Sequence, residues 1–370
     1  MGERMKVVFA GGGTGGHLYP AIAIAGGLGD SATVDFIGTA DRLEATVVPN
    51  AGYRLHAVSS RPLTRRVSLE LVRTFFANFR GTLQSIGLLR KLRPNIVIAT
   101  GGYVCFPAVL AARVLRFFGA YHGAIALLEP NARPGLTNRL LAPLVDEVWG
   151  AFPNADPRFD GKYAFTGIPV RAGLRALPPR EAAIERLGLN PARRTLLAMG
   201  GSQGARTIND ALAALVKSDG LPEGWQLIHV TGEKEYDRVR TAIGKPEGAI
   251  RPYLHDLSDA FAAADLVLAR AGASTLGELA ATGMPSILVP YPFAAENHQA
   301  ANAEEFAAAG AAVVVADREL DAGRLRLLLA ETVVPQRLDS LRAAAQRLKT
   351  IDPIATILAR IAALAARKSE

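Results

Sequence analysis

The amino-acid sequence predicts an α/β protein of two domains, each built on a parallel β-sheet. Short apolar runs alternate with longer helical patterns along most of the chain, which is typical of βαβ units. A glycine-rich turn follows the first strand of each half, and 370 residues exceed what one hydrophobic core usually supports. Two α/β domains are therefore expected.

The elements of the first half are apolar runs that end at turn residues, separated by helical segments. Predicted strands cover residues 6–10, 33–38, 95–100 and 124–128, and predicted helices cover 18–29, 68–91 and 104–118. Residues 150–180 then concentrate proline, glycine and charge, as a linker would.

The pattern restarts after this segment. Thr195–Met199 is a predicted buried strand, GGSQGA (200–205) is a second glycine turn, and TINDALAALV is a helix. Three more strand-and-loop units follow at 227–232, 264–272 and 286–292, and a helical tail (325–368) is interrupted at Ile351-Asp352-Pro353. The predicted domains are 1–168 and 169–352, with 353–370 as a helix that packs back on the first domain.

Composition limits the class of protein. The single cysteine, Cys105, cannot form a disulfide within the chain, which fits a reducing compartment. The N-terminal apolar stretch is too short for a signal peptide, and no segment reaches the roughly 20 apolar residues that span a bilayer. We therefore expect a cytosolic chain.

The net charge of +8 favours anionic partners such as nucleotides or an acidic membrane surface. Nucleic acid is not expected as a partner, because RNP, zinc-finger and helix-turn-helix signatures are missing from the sequence.

The run KVVFAGGGTGGH (6–17) has the spacing G-x-G-x-x-G and ends on the titratable His17. Glycines before a helix N-terminus predict a phosphate-handling turn. The spacing also suggests a nicotinamide-dependent oxidoreductase, but the strand at 33–37 ends in Gly38-Thr39 without the acid that a dinucleotide fold places there. A tight turn without any ligand is the third interpretation.

Residues 270–306 form the densest block of candidate site residues. Gly272 and Ser274-Thr275 lie where a helix would begin and could hold a phosphate. Glu278, one turn further, could reach a nucleotide ribose, or it could form a capping box with Thr275. Residues 296–299 (Glu-Asn-His-Gln) follow a predicted strand and suit either a pocket for a polyhydroxylated ligand or an ordinary exposed loop.

Two first-half loops, Gly101-Gly102-Tyr103 and Glu129-Pro130-Asn131, follow strands on the same side as the first glycine turn. Loops at the carboxyl ends of parallel strands meet at a ligand site. Arg171 in GIPVR is placed to offset diphosphate charge, although a single arginine is more often a surface group. D-x-D, H-E-x-x-H, cysteine clusters, G-x-S-x-G and the P-loop pattern are missing, so a bound metal, serine hydrolysis and P-loop ATPase chemistry are not expected.

Eight motifs in series carry a resemblance to one family: GGGTGGHLYP, GTADRLE, GGYVCFP, NARPGLTN, GIPVR, GGSQGA, RAGASTLGELAATGMPSILVP and NHQAANA. They resemble the N-acetylglucosaminyltransferases that convert lipid I to lipid II in bacterial cell-wall synthesis. The resemblance implies two Rossmann-like domains facing across a cleft, the GT-B arrangement. It further implies UDP-N-acetylglucosamine as donor, inversion at the anomeric carbon, and no metal or other cofactor.

The resemblance also implies site residues. Glu278 would hold the ribose hydroxyls, and the backbone of Leu254 would lie against uracil. The diphosphate would be surrounded by Ser202, Arg171, Ala273, Ser274, Thr275 and Leu276. Gln299, His298 and Asn131 would address the sugar, and Thr14, Gly15 and Gly16 would line the cleft beside His17. The family usually has H-E-Q-N where this chain has Leu128-Glu129-Pro130-Asn131.

An inverting transfer needs a base for the 4-OH of the muramyl sugar. His17 is the candidate, because its ordinary pKa lies close to operating pH; a capping or orienting histidine is the alternative. Helix N-termini and Arg171 would stabilise the departing UDP.

The acceptor is a polyprenyl-diphosphate lipid, so the protein is expected at the cytoplasmic face of the cell membrane as a peripheral protein. Phe75, Phe76 and Phe79, with Arg73 and Arg80, form a candidate contact with an anionic membrane surface. Leu71, Arg90, Lys91, Arg93, Arg113, Arg116, Phe117 and Phe118 extend the same mixture, and half of these aromatics could equally be core. Other cell-wall synthesis proteins are further expected partners.

The sequence is compatible with three other functions. Another GT-B enzyme, such as a lipid glycosyltransferase or a UDP-sugar epimerase, would share the donor side. The oxidoreductase rests on G-x-G-x-x-G alone. A non-enzymatic UDP-sugar-binding module is a rival of a different class.

Overall fold

A computed structural model describes residues 4–62, 69–153, 156–201, 203–244, 248–349 and 351–367. The chain divides into two compact units, one formed by residues 1–171 with 351–370 and the other by residues 172–350. We refer to these as the first unit and the second unit. Each contains one parallel sheet with helices, so the predicted fold class is confirmed.

The first unit is built on a seven-stranded parallel sheet of order β3-β2-β1-β4-β5-β6-β7, counted over the described residues. The order reverses between β1 and β4, as in doubly wound nucleotide-binding folds. The strands are β1 (Met5–Ala10), β2 (Ala32–Gly38), β3 (Arg54–Ala57), β4 (Ile96–Ala99), β5 (Ala124–Glu129), β6 (Glu147–Gly150) and β7 (Tyr163–Phe165).

Helices cover both faces of this sheet, since β1 alternates Val7 and Phe9 on one face with Val8 and Ala10 on the other, all buried. The first-unit helices are α1 (Gly15–Leu28), α2 (Glu44–Asn50), α3 (Leu69–Leu92), α4 (Cys105–Phe117), α5 (Leu136–Leu141) and the C-terminal helix (Pro353–Arg367).

The C-terminal helix packs into the core of the first unit. Its buried side chains are Ile354, Ile357, Ile361 and Leu364, which join the cluster that contains Phe9 and Trp149. Their 3-4-3 spacing forms one helical stripe. Burying each such side chain stabilises the fold by about 1.5–3 kcal/mol.

The second unit is built on a six-stranded parallel sheet of order β10-β9-β8-β11-β12-β13, again counted over the described residues. Its strands are β8 (Arg194–Met199), β9 (Trp225–Val230), β10 (Gly248–Arg251), β11 (Leu266–Ala269), β12 (Ser286–Leu288) and β13 (Ala312–Val314). Its helices are α6 (Ala172–Arg175), α7 (Arg180–Leu187), α8 (Arg206–Ser218), α9 (Tyr236–Ile243), α10 (Ser258–Ala263), α11 (Ala273–Thr282), α12 (His298–Ala308), α13 (Ala322–Thr332) and α14 (Pro335–Leu348).

The expected linker over 150–180 is wrong in part. Strand β7 lies inside it and pairs with β6, with Trp149 opposite Ala164. A strand of three residues is too short to show an alternating pattern, and the surrounding proline and glycine residues are typical of a loop. The segment therefore completes the first sheet before it leads to the second unit.

Candidate functional site

The first glycine turn joins β1 to α1. Gly13 has a φ of +83°, a conformation that side chains disfavour. α1 begins at Gly15, three residues earlier than predicted, and Thr14 precedes it in an extended conformation. Thr14, Gly15 and Gly16 thus lie at the N-terminus of α1, where backbone N–H groups have no partner within the helix.

A buried glutamate that the sequence analysis did not single out holds this turn. Oε2 of Glu44 accepts a hydrogen bond from the Gly13 N–H (2.9 Å), and Oε1 accepts from the backbone N–H (3.0 Å) and hydroxyl (2.6 Å) of Thr39. Glu44 has no exposed surface. Its carboxylate takes the Gly13 N–H that a phosphate would need, so the phosphate-handling prediction is wrong for Gly13.

His17 lies half-buried on the first turn of α1. Its Nδ1 is 3.2 Å from the carbonyl oxygen of Thr100, in the loop after β4. A carbonyl can only accept, so this contact places the ring hydrogen on Nδ1 and, in the neutral ring, the lone pair on Nε2. Gly101 permits the approach, because a Cβ there would lie 2.4 Å from Nδ1. This tautomer suits a general base.

The loop after β5 is folded around one carboxyl group. Glu129 is buried and accepts hydrogen bonds from the Asn131 N–H (2.9 Å) and side chain (3.1 Å), the Asn138 side chain (2.8 Å) and the Gly135 N–H (3.3 Å). Burial raises the pKa of Glu129 to about 7, although these hydrogen bonds act to lower it. Asn131, which was predicted to contact the sugar, is therefore held in position by Glu129.

The first turn of α1 and the loops after β4 and β5 line one cavity of about 240 Å³ in the first unit. Asn138 is a lining residue that the sequence analysis missed, and its Oδ1 is buried without a hydrogen-bond partner among the described residues. Its Nδ2 donates to the carbonyl oxygen of Leu128 (3.2 Å) and to Glu129, which fixes the amide orientation. Oδ1 is thus left to accept from a ligand N–H or O–H. The lining residues are His17, Pro62, Gly102, Tyr103, Glu129, Asn131, Gly135, Leu136, Thr137 and Asn138.

Arg171 belongs to the first unit. Its guanidinium carbon lies 5.1 Å from the ring centroid of Tyr19, on α1 close to His17, in a cation–π contact. The predicted diphosphate role of Arg171 remains a prediction.

In the second unit, α11 begins directly after the loop that follows β11. The Leu276 N–H donates to the carbonyl oxygen of Gly272 (3.0 Å), so Gly272 is the N-cap. Thr275 lies inside the first turn, and the alternative capping box of Thr275 with Glu278 is wrong.

The first turn of α11 carries the predicted diphosphate residues Ala273 to Leu276. Ser274 Oγ is buried and has no hydrogen-bond partner among the described residues. A buried unpartnered hydroxyl beside helix N–H groups suits an anionic ligand. Glu278, one turn further, is 8 % exposed.

The polar run 296–299 is part of an ordered turn and helix rather than a plain strand-end loop. α12 begins at His298, whose Nδ1 lies 2.6 Å from the carbonyl oxygen of Ala295. Gln299 Oε1 accepts from the Tyr291 N–H (3.0 Å), and its Nε2 is 3.9 Å from where a Cβ at Gly272 would be. Gln299 therefore lies at the N-terminus of α11.

The predictions for uracil binding and for the second glycine turn concern Leu254 and Ser202. Leu254 is half-buried in the loop between β10 and α10. Ser202 lies outside the described residues.

Helix α3 turns aromatic side chains outward. Phe75, Phe76 and Phe79 are 67 %, 64 % and 55 % exposed and contact one another through their rings. Arg73 and Arg80 on the same helix are also exposed. The inward face carries the buried polar residues Thr74, Asn78, Thr82 and Ser85. We call the three phenylalanines and two arginines the α3 outer face. The alternative that these three aromatic side chains belong to the core is wrong.

Phe117 and Phe118 are exposed as well, but Arg116 is not a surface cation. Its guanidinium donates to both carboxylate oxygens of Asp146 (2.9 and 2.8 Å) and to the carbonyl oxygen of Gly123 (2.6 Å). Arg116 is a structural ion-pair residue, and its predicted role at a membrane is wrong.

A second cavity of the first unit, about 590 Å³, shares no lining residue with the His17 cavity and is lined by Arg90, Arg93 and His122 among others. The described residues contain no group of three or more His, Cys, Asp or Glu side chains that could hold a metal ion. Within the same part of the chain, no helix has both the length and the apolar character needed to cross a membrane.

The sequence matches known families over most of its length. Residues 7–149 match the N-terminal domain of glycosyltransferase family 28, and residues 195–354 match its C-terminal domain. The family is one of glycosyltransferases, not of nicotinamide-dependent enzymes.

Individual relatives agree with this match. The UDP-N-acetylglucosamine--N-acetylmuramyl-(pentapeptide) pyrophosphoryl-undecaprenol N-acetylglucosamine transferase of Moorella thermoacetica is 43 % identical over 93 % of this chain and 95 % of that protein. The protein of the same name from Chlorobium limicola is 40 % identical over 98 % and 100 %. The crystal structure of Acinetobacter baumannii MurG superimposes with a TM-score of 0.76 at 24 % identity, covering 96 % of this chain and 99 % of that one. With both domain models matched and with identities of 40 % and 43 % to these two transferases over nearly its full length, the chain belongs to glycosyltransferase family 28 and, within it, to the MurG family.

Proposed function

We propose that this protein transfers N-acetylglucosamine from UDP-N-acetylglucosamine to the 4-OH of the muramyl sugar of lipid I, which gives lipid II and UDP. The observation that carries this proposal is the identity of about 40 % with transferases of that name over almost the whole chain. The cavity that contains His17 supports it, because it combines a candidate base with hydrogen-bonding groups suited to a sugar.

His17 is the proposed base. Its Nε2 takes the proton of the acceptor hydroxyl while that oxygen forms a bond to the anomeric carbon of the donor sugar. The bond from this carbon to the UDP oxygen breaks on the opposite side, so the configuration inverts. The Nδ1 contact to Thr100 supports this role by fixing the tautomer. Thr14, Gly15 and Gly16 line the acceptor side in the proposal, and Asn131 addresses the sugar.

The donor is proposed to bind through the second unit. Glu278 accepts hydrogen bonds from the ribose hydroxyls, and the backbone of Leu254 lies against uracil. Ser202, Arg171 and the turn from Ala273 to Leu276 surround the diphosphate, and His298 and Gln299 address the sugar. The unpartnered hydroxyl of Ser274 supports the diphosphate assignment. Helix N–H groups and Arg171 stabilise the leaving UDP without a metal.

The lipid acceptor requires contact with a membrane. We place the α3 outer face at an anionic membrane surface on the cytoplasmic side, because exposed aromatic rings beside arginines are typical of interfacial binding. Clustering of three such rings on one helix supports this proposal, since scattered single apolar residues are normal on a protein surface.

The testing experiment measures transfer from UDP-N-acetylglucosamine to a short-chain lipid I analogue, with and without a chelator. We expect equal product formation in both arms and no product when diacylglycerol replaces the acceptor. Transfer to diacylglycerol alone would identify a different GT-B enzyme, and loss of transfer in chelator would overturn metal independence.

The base is tested in the same assay with His17→Asn and the matched control His122→Asn, an exposed histidine of the same unit. We expect kcat to fall at least about 100-fold in the first variant, as for loss of a general base, and to stay unchanged in the second. Near-wild-type turnover of His17→Asn with saturating donor would remove the base assignment.

A further inference from the structure

Glu44 combines complete burial with hydrogen bonds to two separate segments of the first unit. It is the first residue of α2, and its carboxylate reaches the N–H of Gly13, 31 residues earlier in the chain. Its other oxygen accepts two hydrogen bonds from Thr39, the residue directly after β2. The three hydrogen bonds to this buried carboxylate are strong and depend on its orientation. They therefore fix the first glycine turn relative to the end of β2.

The space around this carboxylate is fitted to it. A Cβ at Gly12 would lie 2.5 Å from Glu44 Oε1, and one at Gly38 would lie 2.8 Å from Glu44 Cγ. The backbone of the turn therefore approaches the carboxylate more closely than any other residue type would allow. Movement of Glu44 must displace the turn.

The first glycine turn also packs against the residues that surround the His17 ring. The Gly12 carbonyl oxygen lies 2.6 Å from where a Cβ at Gly102 would be, and the His17 ring packs against Gly101 and Gly102. One residue after Gly13, Thr14 accepts hydrogen bonds through its carbonyl oxygen from the His17 and Leu18 N–H groups (3.3 Å each). A continuous set of contacts thus runs from Glu44 through the glycine turn to the imidazole.

We propose that Glu44 is a positioning residue, which sets the place of His17 by clamping the Gly12–Gly13 turn and touches no substrate itself. This inference rests on the proposed role of His17. Displacement of a catalytic group by about 1 Å can lower a rate by about 100-fold, so a clamp on the turn acts on kcat rather than on donor affinity.

Glu44→Gln tests the clamp with little change of shape. A carboxamide has one accepting oxygen and a donating NH₂, so it can satisfy Thr39 or Gly13 but not both. We expect kcat to fall about 10- to 100-fold while KM for UDP-N-acetylglucosamine stays within about 3-fold. Gly12→Ala, whose new methyl group would collide with the carboxylate, is expected to lower kcat in the same way and serves if Glu44→Gln does not fold.

Asp146→Asn is the matched control for lost stability. Asp146 also accepts hydrogen bonds from a backbone N–H and from a partner side chain within the first unit, but it does not contact the turn. We expect its melting temperature to fall at least as much as that of Glu44→Gln, with kcat within about 2-fold of wild type. Equal kcat values for the two variants would overturn the inference.

The pH profile separates positioning from direct proton transfer. If Glu44 only positions His17, the acid limb of kcat/KM keeps its wild-type pKa in Glu44→Gln at a lower plateau. Loss of that limb would make Glu44 the titrating group and contradict the inference. Normal turnover of His17→Asn would refute the proposed base instead, whereas an inactive His17→Asn beside a fully active Glu44→Gln would refute the clamp alone.

Discussion

At the scale of single residues, two buried glutamates of the first unit organise the loops around His17. Glu44 holds the first glycine turn, and Glu129 holds the loop that leads to α5. Both accept backbone N–H groups of loops that have no ladder partner to satisfy them. Sequence motifs contain both residues, but only Glu129 stands at a predicted strand end, so only its loop was singled out.

The raised pKa of Glu129 predicts a pH-dependent contribution to stability. Because burial raises its pKa from 4.5 to about 7 in the folded state, the folded protein binds the extra proton between these values. Stability from this group is therefore present below pH 4.5 and is lost as the pH rises to about 7. Urea unfolding between pH 5 and 8 should show the advantage of wild type over Glu129→Gln shrinking with rising pH. An advantage that grows across this range would contradict the pKa direction.

At the scale of elements, α3 has an unusual distribution of side chains. Its buried face carries Thr74, Asn78 and Ser85, while its phenylalanines face outward. Periodicity identifies the helix, but an apolar stripe would normally be assigned to the core. The structure shows this stripe exposed to solvent, which excludes the core alternative and leaves the predicted membrane contact to be tested.

Replacement of Phe75, Phe76 and Phe79 by serine should abolish flotation with anionic liposomes, because these rings supply the apolar area that enters the interface. The matched control is Phe293→Ser with Leu327→Ser, two exposed apolar residues of the second unit. We expect the control to float like wild type and both proteins to unfold cooperatively. Unchanged flotation of a folded triple variant would remove α3 as the membrane contact.

The C-terminal helix should be necessary for the stability of the first unit. Ile357 is fully buried in its core, so Ile357→Ala should lower the free energy of unfolding by about 2–5 kcal/mol. Ala362→Gln, at an exposed position of the same helix, should change it by less than about 0.5 kcal/mol. Denaturant unfolding followed by circular dichroism measures both, and equal effects would show that the helix does not contribute to the core.

At the scale of the whole molecule, ligand binding distinguishes a UDP-sugar enzyme from the oxidoreductase that G-x-G-x-x-G suggests. UDP at 100 times its Kd should stabilise the protein by about 2.7 kcal/mol, whereas NAD(H) should not raise the melting temperature. Glu278→Gln should remove most of the UDP effect, while Glu331→Gln, an exposed position of the same unit, should keep it. Stabilisation by NAD(H) but not UDP would contradict the transferase.

Strands that are continuous apolar runs bounded by turn residues were predictable from the chain, whereas β3, β7 and β13 were not. The strands β1, β2, β4, β5 and β8 are buried runs bounded by turn residues, and their predicted bounds differ by one or two residues. The strands β3, β7 and β13 have three or four residues. Such segments become strands because a neighbouring strand offers hydrogen bonds, which local sequence does not reveal.

The amino-acid sequence was enough to predict the α/β class, the two glycine turns, the candidate base and, through its motifs, the family. Those features depend on residue type and spacing within short segments. Three further points became visible in the folded molecule. The Gly13 N–H binds Glu44 and is not offered to a phosphate, and Asn138 leaves an acceptor in the His17 cavity. The phenylalanines of α3 are exposed. Each of these depends on which distant segment fills the space beside a residue, and that is fixed by packing of the whole unit.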